Sequence, residues 1–313
     1  MAIEHRGVLL RDEVAGFLKL LEADPPPDWS DLEPSVAREM FDSWDAMHLP
    51  AAEVARVTDQ TLGGVATRLY HPDPVKKLPC VVVYHGGGWV LGGLSTHDTL
   101  CRQLATQSGC AVIAVDYPLS PESRHDATFA ACVDAYQGVV EASQTLSIDP
   151  ERIAVGGDSA GGNLAAAVAM HRRDNDASMP KLQMLLYPVV SPNFQTESYE
   201  RFAEGFGLTR RAMKFFWQSY LGDAAAGRYA DLMQNDLSNL PPTLLVLAGV
   251  DVLYSEGDRF GDELRRQGVS VQRIEVPDTV HGFVHLGGLF PHGAETLRSV
   301  AMQVRRSLEP ATA

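Results

Sequence analysis

The sequence lacks the patterns that would assign it to several large classes of protein. No run of 18 or more apolar residues occurs in its 313 positions, so we expect no membrane-spanning helix. Lys and Arg together number only 26 against 40 Asp and Glu, and the formal net charge of −14 disfavours binding to nucleic-acid phosphates. The phosphate-binding motifs G-x-G-x-x-G and G-x-x-x-x-G-K-[ST] are also missing, which removes the usual basis for a nucleotide cofactor.

Cysteine is also scarce, and the four cysteines are scattered along the chain. They are Cys80, Cys101, Cys110 and Cys132, with no C-x-x-C pair, so neither a disulfide framework nor a structural zinc site is expected. The first twenty residues carry charges throughout their apolar stretch, unlike a secretory signal. From both features we predict a cytoplasmic protein.

The spacing of apolar residues predicts helices in the first 50 residues. Val14, Phe17, Leu18 and Leu21 form one apolar stripe, and the prolines at 25–27 end that helix. A second helical stretch has these apolar residues along one face: Val36, Met40, Trp44 and Met47. Helices this amphipathic must pack against another part of the protein.

From about residue 52, strand patterns and helix patterns alternate. Two strands flank Gly63 and Gly64, and six further apolar runs are typical of strands: 78–85, 110–117, 152–157, 181–188, 242–249 and 269–276. Helical patterns lie near residues 127–144, 160–173, 254–267 and 293–308. Several runs are apolar throughout, as in strands buried on both faces, which predicts an α/β protein with a mostly parallel central sheet flanked by helices.

One long segment interrupts this alternation. Residues 191–236 separate two strands, which is too long for a single crossover helix, and they contain the aromatic helical stripe RRAMKFFWQSYL. We interpret them as an insertion that joins residues 1–50 to form a helical cap on a single domain, 1–313. The catalytic core would then comprise residues 51–190 and 237–313.

The pentapeptide Gly157-Asp158-Ser159-Ala160-Gly161 matches the pattern G-x-S-x-G. A strand pattern precedes it and a helix pattern follows, which is the context of a nucleophile elbow. In that context Ser159 lies at the helix N-terminus, where backbone amides face a developing anion. The alternative is a glycine-rich turn in which Ser159 only caps the helix.

Three glycines follow the first buried strand, in the sequence His85-Gly86-Gly87-Gly88-Trp89. Backbone N–H groups that point into a cleft from such a loop suit an oxyanion hole. A flexible loop is the alternative, but three glycines cost folding entropy unless the backbone requires them. We expect a ring nitrogen of His85 to brace the loop rather than to act as a base.

A nucleophilic serine also needs an acid and a base, and in this fold class both follow the serine in that order. Asp251 comes just after the strand at 244–249, and His281 lies in the loop after the strand at 271–276. With Ser159, all three residues follow the C-terminal ends of strands, the edge where open α/β sheets bind ligands. These three residues are therefore the predicted catalytic triad.

Other residues compete for these roles. Asp258 lies within a helix pattern as a surface charge, and Asp278 is predicted to be a loop residue near His281. His285 follows His281 at i+4, as in metal-binding helices, but no adjacent Glu or third ligand supports a metal site. His292 follows a proline and is predicted to face solvent.

Four motifs occur in the order and approximate spacing of a known family: HGGGW at 85–89, DYPLSPE at 116–122, GDSAGGN at 157–163 and HGF at 281–283. Together they resemble the hormone-sensitive-lipase-like branch of the α/β-hydrolases, the bacterial family IV esterases. The resemblance runs from about residue 60 to 310. It implies an α/β-hydrolase fold with a helical cap, and hydrolysis of carboxylic esters of short to medium acyl length without a cofactor.

The resemblance also assigns roles to individual residues. It implies that Ser159 is the nucleophile, that His281 is the general base and that Asp251 is the acid that orients His281. It also implies four backbone oxyanion donors, of which Gly87 and Gly88 are the principal ones in the loop: Gly86, Gly87, Gly88 and Ala160. The family commonly has D-P-L where this sequence has Asp-Val-Leu at 251–253, and an aromatic-proline pair where it has His-Asp-Ala at 125–127. These departures affect the expected substrate preference more than the catalytic residues.

We therefore predict a serine carboxylesterase that acts on a small ester through an acyl-enzyme, with no metal. Its substrate pocket is predicted to include Trp89, Tyr187 and Phe206, whereas Phe215 and Phe216 are assigned to packing. Two alternatives stay open: an arylformamidase-like hydrolase with the same triad, and a non-catalytic small-molecule binder. A homodimer is a further expectation from the resemblance.

Overall fold

Ten strands form one central sheet and one small hairpin in the computed structural model. The structure describes residues 2–310, with the side chains of Ala2, Asp45 and Ala46 left aside. The strands are β1 (Ala2–His5), β2 (Val8–Arg11), β3 (Arg56–Leu62), β4 (Val65–His71), β5 (Leu78–Tyr84), β6 (Ala111–Val115), β7 (Ile148–Asp158), β8 (Gln183–Leu186), β9 (Thr243–Val250) and β10 (Val271–Val280). The hairpin consists of β1 and β2, and the other eight strands follow the spatial order β10-β9-β8-β7-β5-β6-β4-β3. Strand β4 is antiparallel to both of its neighbours, while β5 to β10 pair in parallel, so the predicted mostly parallel sheet is confirmed.

Helices flank this sheet, also as predicted. They are α1 (Asp12–Ala23), α2 (Pro34–Asp42), α3 (Asp98–Ser108), α4 (His125–Ala142), α5 (Ala160–Asp174), α6 (Glu197–Arg201), α7 (Arg210–Leu221), α8 (Tyr254–Arg266) and α9 (Pro291–Ser307), with short 3₁₀ helices at Trp29–Asp31, Ser43–Met47 and Leu232–Gln234. Helix α3 packs against α9, and α4 packs against α5. The valines of β5 at 81–83 are fully buried between these layers, which explains their continuous apolar run.

The sequence patterns miss helix α3, the short helix α6 and the β1–β2 hairpin. Helix α3 has a narrow apolar stripe, formed by Leu100, Cys101, Leu104 and Ala105, and Gly109 ends it in the left-handed conformation with φ 71°. The β1–β2 hairpin turns at Arg6 and Gly7, both with positive φ. An Arg-Gly pair is not among the usual hairpin signals, so the turn was not recognisable.

The predicted face of the second N-terminal helix is wrong at one position. Val36 is 49% exposed, and α2 buries Ala37 instead. The first helix agrees with its prediction, because α1 ends at Ala23, just before the prolines. His292 is also misassigned, because only 4% of it is exposed and its ring bonds Thr279 and Glu13 on opposite sides.

The N-terminal segment and residues 191–236 contact each other directly. Asp28 accepts a hydrogen bond from the Thr209 hydroxyl at 2.9 Å, and Arg211 forms an ion pair with Asp31. The His5 ring lies 3.3 Å from the carbonyl oxygen of Gly205. Both segments therefore lie on the same side of the protein, while their designation as one cap over a single domain stays a prediction.

Candidate active site

The turn between β7 and α5 holds Ser159 in a strained conformation. Its φ and ψ are 53° and −119°, a region that residues with a side chain seldom adopt. Close packing forces this geometry, because a Cβ atom at Gly161 would lie only 1.9 Å from the Tyr84 carbonyl oxygen. Strand, tight turn and helix thus follow each other as the G-x-S-x-G pattern indicates, with Ser159 between the end of β7 and the first turn of α5.

The structure brings the three predicted triad residues into one hydrogen-bonded chain. Nε2 of His281 lies 2.9 Å from Oγ of Ser159, and Nδ1 of His281 lies 2.6 Å from Oδ2 of Asp251. The second carboxylate oxygen of Asp251 accepts the Leu253 N–H at 3.0 Å. Since a buried carboxylate accepts the proton of Nδ1, Nε2 is left free to accept the hydroxyl proton of Ser159.

Each residue of this chain follows directly on a strand end. Ser159 follows β7, Asp251 follows β9, and His281 follows β10. The register of β10 against β9 shifts between Val276 and Val280, just before His281. Ser159 and Asp251 are 7% and 2% exposed, so little water reaches the hydrogen bonds between them.

The glycine loop after β5 presents two unpaired amides beside Ser159. Gly87 and Gly88 line the same cavity as Ser159, and within the described residues their N–H groups donate to no protein acceptor. The same holds for Ala160 at the first position of α5. Gly88 has φ 60°, and a Cβ atom there would lie 2.3 Å from the ring of Phe216. Only glycine fits this position.

Gly86 does not match its predicted role as an oxyanion donor. Its N–H donates to Oδ1 of Asp158 at 3.0 Å and is therefore already used. The bracing role predicted for His85 agrees with the structure, because Nδ1 lies 2.8 Å from the Gly86 carbonyl oxygen. The His85 ring also stacks on Tyr117 with a centroid distance of 4.0 Å.

Asp158 and His97 are functional-site residues that the sequence patterns did not single out. Nε2 of His97 lies 3.1 Å from the Asp158 oxygen that holds the Gly86 amide, and Oγ1 of Thr96 lies 2.9 Å from Nδ1 of His97. Burial raises the pKa of Asp158, but the hydrogen bond and the electrostatic interaction with His97 outweigh burial and hold this pKa below its ordinary value. Asp158 occupies a variable position of G-x-S-x-G, and His97 precedes the unrecognised helix α3, so neither had a distinct signal.

The pair His281 and His285 does not converge on one point. The ring nitrogens of His281 face Ser159 and Asp251, whereas the His285 ring lies 4.4 Å from the ring of His97. Across residues 2–310, apart from the side chains set aside above, no group of three or more His, Cys, Asp or Glu is placed to hold a metal ion.

Two buried imidazoles near this site stay neutral at physiological pH. Burial lowers the pKa of His285 well below its ordinary value, and the neighbouring His97 and His48 lower it further against the opposing charge of Asp158. Burial likewise lowers the pKa of His85 to about 3. Neither ring can gain a proton without a cost to the folded state.

We therefore expect the free energy of unfolding to decrease as the pH falls from about 6.5 towards 3. The unfolded chain binds protons at these imidazoles near pH 6.5, while the folded chain does not, so each ring removes up to about 1.4 kcal/mol of stability per pH unit. His285→Leu should reduce this pH dependence. Urea denaturation at about pH 7.5 and pH 5 measures it, with Phe283→Leu as a buried control that should be destabilised equally at both values. An unchanged pH dependence in His285→Leu would contradict the assignment.

A cavity of about 730 Å³ opens above the hydrogen-bonded chain. Ser159, His281, Gly87 and Gly88 line one side of it. The other side consists of apolar side chains from the N-terminal segment and from residues 204–216, which include Trp29, Phe41, Trp44, Met40 and Met213. This volume is in the range of ligand sites that enclose a drug-sized molecule.

The three residues predicted to form the pocket do not line this cavity. Trp89 is fully buried behind the glycine loop, where its ring stacks on Tyr220 at 4.2 Å, because its φ of 62° turns the side chain back into the core. Tyr187 lies behind His281, with 4.9 Å between the ring centroids. Phe206 packs edge-on against His5.

Phe215 and Phe216 differ in their relation to the cavity. Phe216, which was assigned to packing, lines the cavity, whereas Phe215 does not contribute to it. Aromatic residues of the N-terminal segment supply much of the wall, and of these the sequence patterns placed Phe17 and Trp44 only on helix faces and did not single out Trp29 and Phe41. Helical spacing shows which residues share a face but not whether that face meets a core or a cavity.

The two rival aspartates are engaged elsewhere. Asp258 forms an ion pair with Arg273, and Asp278 forms one with Arg11 at 2.9 Å. Asp278 belongs to β10 rather than to a loop.

None of the described helices has the length and apolar character required to cross a bilayer. The cytoplasmic location and the homodimer stay predictions.

Fold and site geometry together define an α/β-hydrolase, and comparison with known proteins agrees. A family model described as the alpha/beta hydrolase fold matches residues 81–285. An ethyl acetate hydrolase of Pseudomonas putida is 31% identical over 96% of this chain and 99% of the relative. The carboxylic ester hydrolase LipN of Mycobacterium tuberculosis is 41% identical over 74% of this chain and 65% of the relative.

Solved structures show the same relationship. The crystal structure of a thermostable esterase from Pseudomonas putida superposes with a TM-score of 0.92, at 32% identity, over 96% of this chain and 98% of that one. The chain belongs to the hormone-sensitive-lipase-like family of α/β-hydrolases.

Proposed function

We propose that the protein is a serine carboxylesterase that hydrolyses short- to medium-chain acyl esters through an acyl-enzyme on Ser159. At the level of enzyme class it is a carboxylic ester hydrolase, like its relatives. The observation that supports the finer proposal is the continuous hydrogen-bonded chain from Ser159 through His281 to Asp251. The relative named for ethyl acetate hydrolysis supports the short end of the acyl range.

In the first step, Oγ of Ser159 attacks the ester carbonyl carbon while Nε2 of His281 takes the hydroxyl proton. The buried carboxylate of Asp251 keeps Nδ1 protonated and stabilises the imidazolium that forms. His281 then passes its proton to the leaving alcohol, which departs and leaves an ester between the acyl group and Ser159. A water molecule repeats the sequence, releases the carboxylic acid and regenerates the serine.

The tetrahedral intermediates need donors for their oxyanion. We assign this role to the amides of Gly87, Gly88 and Ala160, which lie beside Ser159 and have no protein acceptor within the described residues. The hydrogen bond from the Gly86 amide to Asp158 holds the loop in place and leaves the next two amides available. Each such donor typically contributes a factor of about 10² to 10³ to the rate.

The N-terminal segment and residues 191–236 together act as the cap in this proposal. Their side chains close the cavity opposite Ser159 and exclude water from the reacting atoms. A mostly apolar cavity of about 730 Å³ accommodates acyl chains of limited length.

The acyl range is tested with p-nitrophenyl esters from acetate to palmitate. We expect kcat/KM to peak at a short or medium chain and to fall before palmitate, because a long chain exceeds the cavity. Burst kinetics with the best substrate would report accumulation of the acyl-enzyme. A steady rise to long chains with activation at an oil interface would contradict the proposal, since it would indicate a lipase.

A further inference from the structure

Three aromatic side chains form a contiguous surface in the cavity wall. The ring centroids of Trp29 and Trp44 are 5.5 Å apart, those of Phe41 and Trp44 are 5.4 Å apart, and those of Trp29 and Phe41 are 6.1 Å apart. All three residues line the cavity and are only half-buried, so part of each ring faces the empty space. We call this surface, Trp29, Phe41 and Trp44, the aromatic wall.

The aromatic wall continues towards the reacting groups. Phe41 stacks on the ring of His285, with 6.1 Å between centroids and an interplanar angle of 4°. His285 also lines the cavity, and it lies four residues after His281 in the sequence. A bound ring on the aromatic wall is therefore in the same cavity as Ser159 and close to the face of His285.

Hydrogen bonds anchor the segment that carries the aromatic wall to two other parts of the protein. Arg38 of α2 donates to the backbone oxygens of Val90 and Ser120 at 2.9 Å each, and its remaining N–H group pairs with Glu122. On the other side, Asp28 accepts from Thr209 at 2.9 Å. Fixed rings lose little freedom when a ligand packs on them, which favours binding.

The charge of the lining restricts the kind of ligand further. Six charged side chains line the cavity, and five of them are carboxylates: Arg6, Glu22, Asp24, Asp28, Asp158 and Glu204. The single guanidinium, Arg6, is paired with Glu22 at 2.7 Å. A substrate that carries its own carboxylate would be repelled, so an ester without a negative charge fits better.

We propose that the aromatic wall selects esters that carry an aryl ring and no negative charge, with the ring packed on Trp29 and Trp44 while Ser159 attacks the carbonyl. This inference rests on the proposed esterase function. Stacked and edge-to-face aromatic pairs with centroids 4.5–7 Å apart are more favourable than their buried area alone predicts. We therefore expect an aryl ester to react about 3- to 10-fold faster, in kcat/KM, than the saturated ester with the same carbon skeleton.

The wild-type enzyme provides the first test. Two matched pairs place the ring on either side of the ester: 2-phenylethyl against 2-cyclohexylethyl acetate, and ethyl 3-phenylpropanoate against ethyl 3-cyclohexylpropanoate. We expect the aryl member to be preferred in at least one pair, as measured by titration of the released acid. A ratio near one in both pairs would overturn the inference and leave the esterase function intact. If the enzyme hydrolysed neither these four esters nor the p-nitrophenyl esters, both this inference and the proposed esterase function would be overturned.

Variants locate the preference. Trp44→Leu and Trp29→Leu should bring the preferred ratio close to one, because they lower the kcat/KM of the aryl ester more than that of its cyclohexyl partner. Phe194→Leu is the matched control, because Phe194 is also half-buried but packs on Tyr199 outside the cavity, and it should keep the wild-type ratio. Trp44→Phe retains a ring and should keep most of the preference. If the leucine variants kept the wild-type ratio of aryl to cyclohexyl ester, the inference would be overturned. The ratio measured with the wild-type enzyme tests the inference even if a variant misfolds.

Discussion

Replacement of Ser159 by alanine is expected to lower kcat/KM for ester hydrolysis by about 10⁵-fold or more. The substitution removes Oγ, the only atom of the elbow placed 2.9 Å from Nε2 of His281, and leaves the backbone unchanged. Residual hydrolysis would then depend on water activated by His281 and on the oxyanion donors alone. Steady-state rates with p-nitrophenyl butyrate measure the loss, and thermal unfolding confirms that the variant is folded.

Ser178→Ala is the matched control for this prediction. Ser178 is exposed on the segment that precedes β8, and its contact with Arg172 uses the backbone oxygen, which alanine retains. We expect its kcat/KM to stay within a factor of two of the wild type. A Ser159→Ala protein with more than about 1% of wild-type activity would exclude Ser159 as the nucleophile and would assign the hydrolysis to another group.

Asp251→Asn is expected to lower kcat by about 10⁴-fold at neutral pH although it changes only one atom of the side chain. The Leu253 N–H lies 3.0 Å from one side-chain oxygen of Asp251 and needs an acceptor. The amide oxygen of the asparagine satisfies that donor, which directs its NH₂ group at Nδ1 of His281. That nitrogen then has to accept, so Nε2 carries the proton and cannot take one from Ser159. The pH profile of kcat separates this tautomer effect from a loss of folding.

Asp278→Asn is the control for the aspartate variant. Asp278 lies three residues from His281, but its carboxylate pairs with Arg11 on the surface. Its loss should change kcat less than twofold, because exposed ion pairs contribute little. If Asp278→Asn lowered kcat as much as Asp251→Asn, the acid of the triad would have been assigned to the wrong residue.

The positions of the triad residues could be predicted because strand ends leave a clear signature in sequence. Ser159, Asp251 and His281 each follow an apolar run, and parallel strands bring their C-terminal ends to one edge of the sheet. The hydrogen bonds among them also depend on the loops after these strands, because β8 and β9 lie between β7, which precedes Ser159, and β10, which precedes His281. The mostly parallel direction of the core strands agrees with the patterns.

The substrate pocket could not be predicted in this way. Trp89 and Tyr187 are adjacent in sequence to catalytic segments, yet both point into the core, because a positive φ at each of them reverses the usual side-chain direction. Side-chain direction at a turn depends on packing that a single sequence does not display. Conversely, Trp29 and Trp44 are far from the motifs in sequence, and only the folding of the chain places them in the cavity wall.

Gly86 shows a related difficulty within a correctly recognised loop. Three consecutive glycines offer three amides, and sequence alone cannot say which of them is already bonded. The answer depends on Asp158, which is distant in sequence and whose buried carboxylate takes the first amide. The choice between donors therefore became visible only from contacts across the sheet.

The rings of the aromatic wall all come from the short stretch between Trp29 and Trp44, whereas the reacting groups come from strand ends more than a hundred residues later. If the aromatic wall selects the substrate as proposed, the stretch that recognises the aryl group is separate in the gene from the segments that carry the hydrolytic residues. Recombination or local mutation in the early region can exchange one substrate range for another while the hydrolytic residues are inherited unchanged. In directed evolution, a library confined to that stretch is the economical starting point.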